Sequence, residues 1–233
     1  MKFLSIGDIH GLDVWKGFED IPQLLGGIFS PDYDKYIFVG DYVDSFKKSN
    51  QQILDNLLNI INFKRRYPQH VILLWGNHDI QYLTSYKEHG CSGFRPEAYY
   101  DLHEVFRTNR KLFQLAYQHE NYLWTHAGIH KGWYEYEFPY KAKNIAQDLN
   151  QAFEEGVSSI FDVGMHRGGF KRVGGPLWAC RKETWKKPLE GYHQIVGHTR
   201  NDKLLTNKIN ENTSITYIDF LEDDNINPYI LEI

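Results

Sequence analysis

Five short stretches of this sequence set Asp, His or Asn beside glycine: Gly7-Asp8-Ile9-His10-Gly11, Gly40-Asp41-Tyr42-Val43-Asp44, Gly76-Asn77-His78-Asp79, Thr125-His126-Ala127-Gly128 and Gly197-His198-Thr199. Carboxylate and amide oxygens mixed with imidazoles, without a thiolate, suit Mn²⁺, Fe or Zn²⁺ in an open site better than a closed structural zinc. Glycines next to the donors let backbone and ion come close. Asp8, His10, Asp41, Asn77, His126 and His198 are more ligands than one ion with open positions would use. Two ions sharing a carboxylate account for them better, and such a pair clamps both oxygens of an in-line phosphoryl displacement.

Each stretch needs an element to hold it, and each follows a short apolar run. The runs predict buried strands over residues 3–6, 36–39, 71–75, 122–125 and 194–196. In open α/β sheets ligands gather at the carboxyl ends of strands, so five such ends would bring the donors to one point. Helices alternate with the strands. Ser49 with Gln52 is a capping-box pair, and Ile53, Leu57, Ile60 and Ile61 keep helical spacing until Tyr67-Pro68. Leu102, Val105, Phe106, Phe113 and Ala116 mark a second helix with a break near Asn109. Ile145, Leu149, Ala152 and Phe153 mark a third, ending at Gly156. Residues 214–220 and 229–233 read as late strands. The class is α/β, with residues 1–233 as one domain.

Composition bounds the rest. The chain has 233 residues, 42% hydrophobic and 24% charged, which excludes disordered and fibrous classes. With 26 basic and 30 acidic residues it carries a formal −4, which argues against a stable complex with nucleic acid. Two cysteines, Cys91 and Cys180, cannot form a disulfide framework, so a reducing, cytoplasmic setting is expected. No apolar run approaches the roughly 18 residues of a membrane span. The charge is uneven: Val163 to Lys187 holds seven basic residues and one acid, Glu183. A basic segment in an acidic chain fits an anionic substrate as well as a solvated loop.

Taken in order over residues 7–199, the five blocks resemble those of the calcineurin-like metallophosphoesterases. They are most similar to the phosphoprotein-phosphatase branch, which includes bacterial and phage serine/threonine phosphatases and symmetrical dinucleoside tetraphosphatases. The resemblance implies a four-layer α-β-β-α sandwich, with two mixed sheets flanked by helices. It implies two divalent metal ions, manganese foremost, with iron or zinc as alternatives. Asp8 and His10 would ligate the first ion, Asp41 would bridge, and Asn77, His126 and His198 would complete the second. It further implies in-line attack on phosphorus by a hydroxide held between the ions, with His78 protonating the leaving oxygen and Asp44 orienting His78.

The chain also departs from that pattern. Many relatives outside the branch carry Gly-His-x-His where this chain has Arg200, which favours the phosphoprotein branch and sets a cation beside the metals. The branch usually has Arg directly after Asp-x-x-Asp, where it grips phosphate. Here that place holds Ser45, and a hydroxyl does not replace a bidentate guanidinium. Arg167, Arg172, Arg181 and Arg200 are the candidate replacements. Arg181 is favoured, because bacterial relatives carry a phosphate-contacting Arg shortly after a Leu-Trp pair such as Leu177-Trp178.

The remaining features have bland and sharp readings. Asp13 and Asp79 read as caps or as groups supporting the ligands. The histidines outside the blocks read as ordinary, His166 in the basic segment being the weak exception. The aromatic run 133–140 reads first as packing and second as a wall that stacks on a base. Three functions follow: a phosphomonoesterase acting on phosphoserine or phosphothreonine in proteins, a nucleotide-directed phosphohydrolase, and a catalytically inactive scaffold.

Overall fold

Alternation in the first apolar run decides what lies on either side of it. In the computed structural model, which describes residues 1–18, 21–26, 31–83, 90–141, 144–220 and 228–233, that run is strand β1 (Lys2–Ile6). Phe3 joins an apolar layer with Ile37, Ile72, Leu74, Trp124 and Ile195. Leu4 and Ile6 join the cluster that includes Ile53, Leu57, Ile60 and Ile61. Odd positions therefore pack sheet against sheet and even positions pack sheet against helix, as a period of two requires.

The first sheet runs in the order β10-β1-β2-β3-β4, with β2 (Lys35–Phe38), β3 (Val71–Leu74), β4 (Phe113–Gln114) and β10 (Tyr229–Glu232). Strands β1 to β4 are parallel, and β10 pairs antiparallel to β1 with Leu4 opposite Ile230. The second sheet runs β5-β6-β7-β9-β8, from Ala116–His119, Tyr122–Thr125, His193–Val196, Thr213–Tyr217 and Leu205–Asn210 respectively. Its inner strands β6, β7 and β9 are parallel and its outer strands antiparallel. Trp124 of β6 donates its indole N–H to Ser5 Oγ of β1 at 2.9 Å, a polar tie across the apolar interlayer.

Helix α1 (Asn50–Arg66) begins at the expected capping box. Ser49 Oγ accepts from Gln52 N, and Gln52 Oε1 accepts from Ser49 N. It packs on β3 and on α2 (Tyr99–Asn109). Helix α3 (Ile145–Glu154), capped by the Asn144 side chain, packs on β5 of the other sheet. The architecture is two mixed sheets flanked by helices.

One expectation is corrected. Phe113 and Ala116 continue the helical spacing of α2 but lie in strands. The helix ends at Asn109, and a 3₁₀ turn over Arg110–Leu112 releases the chain to β4. Phe113 pairs with Leu73 in the first sheet, and Ala116 pairs with Thr125 in the second. The crossing is stabilised by Asn150 Oδ1 of α3, which accepts from the N–H groups of Leu115 and Ala116. Strand partners, Leu73 for Phe113 and Thr125 for Ala116, decided the matter, not local spacing. Among the described residues, no helix is long and apolar enough to cross a membrane.

Candidate metal centre and catalytic site

The parallel registers align the carboxyl ends of β1, β2 and β3, with Ile6 opposite Phe38 and Phe38 opposite Leu73. The same holds for β6, β7 and β9 in the other sheet, with Val196 opposite Tyr217. The loops that follow meet: Asp8, after β1, accepts the His198 N–H that follows β7, at 3.0 Å to either oxygen. Gly197 permits this approach, since a Cβ there would stand 2.1 Å from Asp8 Oδ1. Gly76 does the same for the second acid, where a Cβ would stand 2.2 Å from Asp41 Oδ1.

The sequence-predicted donors gather at this end of the sheets, but Asp8 falls in neither of the two ligand groups and His78 takes a place in one. Ligand atoms of His10, Asp41 and His78 lie within 4.8 Å of one another, as do those of Asp41, His126 and His198. Asp41 is common to both groups, the place of a bridging carboxylate. His10 Nδ1 contacts Val43 O at 2.9 Å and His126 Nδ1 contacts Val39 O at 2.8 Å. A backbone carbonyl partner fixes the proton on Nδ1 and turns Nε2 to the centre. Asn77 Oδ1 lies 2.8 Å from His126 Nε2, which is 3.2 Å from His198 Nδ1. His10, Asp41, Asp44 and His198 all have positive φ, from 41° to 64°, a left-handed backbone that ordinary residues hold only where the surroundings enforce it.

The electrostatics are those of a cation site. Burial raises the Asp8 carboxyl well above its usual range, and neighbouring Asp219 adds to this. Burial also opposes the Asp41 carboxylate, but His126, His78 and His10 outweigh it and hold Asp41 well below the ordinary range. His126 is raised to about 9 because Asp41 overcomes the penalty of its burial. His198 is held well below the ordinary range by burial, with the Arg167 guanidinium adding to it, and its buried Nε2 has no hydrogen-bond partner among the described residues. Two nitrogen-and-oxygen groups sharing one acid, with an orphaned imidazole nitrogen among them, fit divalent ions. The one nearby sulfur is Cys91, whose thiol burial pushes up, away from the thiolate that would bind metal.

His78 and Asp44, the pair the blocks suggest, are in hydrogen-bond contact. His78 Nδ1 meets Asp44 Oδ2 at 2.8 Å, and its Nε2 lies 4.0 Å from Asp41 Oδ2. Burial disfavours the His78 imidazolium, but Asp41 and Asp44 outweigh it and raise His78 above the usual range. Asp44 is itself tied by the Tyr82 hydroxyl at 2.5 Å and by the Gln81 side-chain amide.

A cavity of about 460 Å³ opens on these groups. Arg167 and Arg200 line it, and so do Ser45, Phe46, Lys47, Trp178 and Asp219. Arg167 Nη2 donates to His198 O and to Thr199 Oγ1, which pins the guanidinium beside the ligand loop. Arg181 does not line this cavity; its guanidinium bonds the Asn201 side chain. Ser45 Oγ accepts from Lys47 N and Lys48 N as a local turn cap. Arg95 lies close by, but its guanidinium is committed to Ser45 O, Lys48 O and Asn50 Oδ1.

Other expected residues lie elsewhere. Trp133 and Phe138 of the aromatic run are core residues, and no member of the run lines the site cavity. Tyr136, with Arg172, Lys186 and Lys187, lines a second cavity of about 630 Å³. His166 is exposed and outside both cavities, and Asp13 pairs with Lys48 at 3.6 Å. Asp79 supports the ligands, accepting from the N–H groups of Gly76, Asp41 and Tyr42 at 2.8 to 2.9 Å. Sequence reasoning missed Asp219, although it follows β9 as Asp8 follows β1. It also missed Gln81, Tyr82, Cys91 and Arg95, whose roles depend on contacts with the blocks rather than on a motif.

Comparison with known proteins agrees with this geometry. The family described as calcineurin-like phosphoesterase matches residues 1–202. The catalytic subunit of serine/threonine-protein phosphatase 6 from Drosophila melanogaster is 36% identical over 78 residues, covering 34% of this chain and 23% of that protein. Serine/threonine-protein phosphatase 2B catalytic subunit A2 from Saccharomyces cerevisiae is 34% identical over 128 residues, covering 53% of this chain and 19% of that protein. These matches thus span less than a quarter of the relatives' own length. A cold-active protein-tyrosine phosphatase from a psychrophilic Shewanella species shares the fold, with a TM-score of 0.56 and 16% identity over 94% of this chain and 71% of the other.

Proposed function

The chain belongs to the calcineurin-like phosphoesterases, and from that premise we propose that it hydrolyses phosphate monoesters on phosphoserine or phosphothreonine side chains of proteins. The observation that carries the reading is Asp41, shared by both ligand groups and backed by the His78–Asp44 dyad at the floor of an open cavity. Asp8, His10, Asp41, Asn77, His126 and His198 would hold two divalent ions; the oxygen and imidazole set accommodates manganese, iron or zinc, and the family resemblance puts manganese foremost. When bound, such ions supply Lewis acidity toward water and phosphoryl oxygens.

The chain's own groups do the rest. Arg167 and Arg200 face the cavity that would receive the phosphoryl group and would neutralise its oxygens, in place of the guanidinium absent at Ser45. With a proton on the nitrogen turned toward Asp41, His78 would act as general acid to the departing seryl or threonyl oxygen. Asp44 accepts from His78 Nδ1, which fixes the ring and supports its positive charge. Tyr82 and Gln81 keep Asp44 from rotating away.

A nucleotide-directed reading is motivated by Ser45, by the basic segment and by the aromatic run, and the last of these falls outside the site cavity. With Trp133 and Phe138 in the core, the aromatic run gives it no support, whereas Ser45 and Arg167 of the basic segment do line the cavity. An inactive scaffold is disfavoured by the complete set of donors.

The deciding experiment assays the manganese-loaded protein on a phosphothreonine peptide and on diadenosine tetraphosphate at equal concentration, with Asp41→Asn as control. Faster phosphate release from the peptide is expected. Faster cleavage of the dinucleotide overturns the substrate assignment, and an undiminished Asp41→Asn rate overturns the metal reading.

A further inference from the structure

The loop that begins at Cys91 touches the site at one ligand that has no backbone constraint of its own. Asn77 carries the only side-chain amide in the ligand set, and an amide can face a metal with its oxygen or, turned over, with its nitrogen. Only the oxygen ligates. His10 and His126 are oriented by backbone carbonyls, whereas Asn77 Nδ2 donates to Cys91 Sγ at 3.1 Å.

The thiol is suited to choosing between the two orientations. Its single proton is directed to Asn77 O at 3.5 Å, so a sulfur lone pair faces the amide. A lone pair accepts N–H and repels an amide oxygen. Nδ2 is therefore held on the sulfur side, and Oδ1 is held on the side of His126 Nε2, at 2.8 Å. Cys91 is buried at the edge of the site cavity that it helps to line. The Cys91 backbone makes a separate link: its N–H donates to Gln81 Oε1 at 3.1 Å, and Gln81 in turn holds Asp44.

We propose that Cys91 is a positioning residue for Asn77, its sulfur accepting Nδ2–H so that Oδ1 is presented to the divalent ion shared with His126 and His198. The proposal rests on the reading of Asn77 as a metal ligand. Cys91 belongs to neither ligand group, and in this proposal it acts on the ion through the amide. A neighbour that orients a ligand typically changes metal affinity by about 10- to 100-fold when removed.

The test is manganese(II) titration of the metal-free protein by calorimetry, with electron paramagnetic resonance to separate paired from single ions. Wild type should bind two ions. Cys91→Val keeps volume without an acceptor, and Cys91→Ala removes both. Each should weaken one of the two ions by about tenfold or more and leave the other unchanged. Cys91→Ser, which keeps a lone pair and one proton, should stay close to wild type. Because the Gln81 link is made by the backbone, all three variants should keep the His78–Asp44 dyad in place. Two-ion binding by Cys91→Val and Cys91→Ala as tight as wild type overturns the proposal. So does an equal loss in Cys91→Ser and Cys91→Val, which would mean that the sulfur acts by volume. Failure of wild type itself to bind manganese overturns the ligand reading of Asn77 and this proposal with it.

Discussion

Asp41 and Asp79 hold each other's loops. The Asp79 carboxylate accepts the Asp41 N–H at 2.8 Å, while the Asp41 carboxylate accepts the N–H of His78, next to Asp79 in the chain, at 2.9 Å. The loops after β2 and β3 are thereby clasped, and the shared ligand and the proton donor are set at a fixed separation.

Asp79→Asn should open that clasp. The acid accepts three N–H groups, burial and Asp41 raise its carboxyl to about 8, and asparagine would turn an NH₂ against a backbone donor. A loss of about 1–3 kcal/mol is expected, the cost of leaving a buried backbone donor unsatisfied, read by urea unfolding. Turnover should fall with it. A variant as stable and as active as wild type would show that the clasp is idle.

Asp41→Asn should abolish turnover and reduce bound manganese below two ions per chain, because both ligand groups depend on this acid. Metal analysis after gel filtration reads the second effect independently of any substrate. Retention of two ions would contradict the bridging assignment.

The glycines make a steric prediction. Gly197→Ala would press a methyl group on Asp8 Oδ1 and Gly76→Ala on Asp41 Oδ1, at ideal separations of 2.1 and 2.2 Å. Each should cost about 1–3 kcal/mol as an overpacked site does, and each should weaken manganese binding. Gly17→Ala, with nothing within 4 Å of its added Cβ, is the matched control and should change neither. Equal effects of all three would remove the steric argument.

His78→Asn should lower kcat on a phosphothreonine peptide by about 10²–10⁴, the usual contribution of a positioned general acid. The loss should be much smaller on p-nitrophenyl phosphate, whose leaving group departs without a proton. Asp44→Asn should show the same contrast between substrates. Equal losses on both esters would assign His78 to metal binding or to phosphate contact instead.

Manganese should stabilise the fold. Asp8, Asp41 and Asp219 are buried close together, and their mutual repulsion is relieved by cations. An ion at 100 times its Kd adds about 2.7 kcal/mol, which for a domain of this size raises Tm by about 5–10 °C. Differential scanning calorimetry with and without a chelator reads the shift, and an unchanged Tm would mean that the cluster binds no ion in the native state.

The sequence by itself determined the strand ends and the donors they carry. A strand, its polar end and a flanking glycine are contiguous in the chain, so their chemistry is written in consecutive residues. The helix α1 cap was legible for the same reason: Ser49 and Gln52 are three residues apart. Only the tertiary structure decided which arginines line the site cavity. Arg167 and Arg181 belong to one irregular segment whose path is fixed by distant bonds such as Gly175 N to Asp162 O and Ala127 N to Pro176 O. That path takes Arg167 to the His198 loop and leaves Arg181 with Asn201. Phe113 and Ala116 were misread because helical spacing continues by coincidence where strand pairing takes over. Asp219 and Cys91 acquire their places from Asp8 and Asn77, each at least 14 residues away, and no local pattern encodes a contact of that kind.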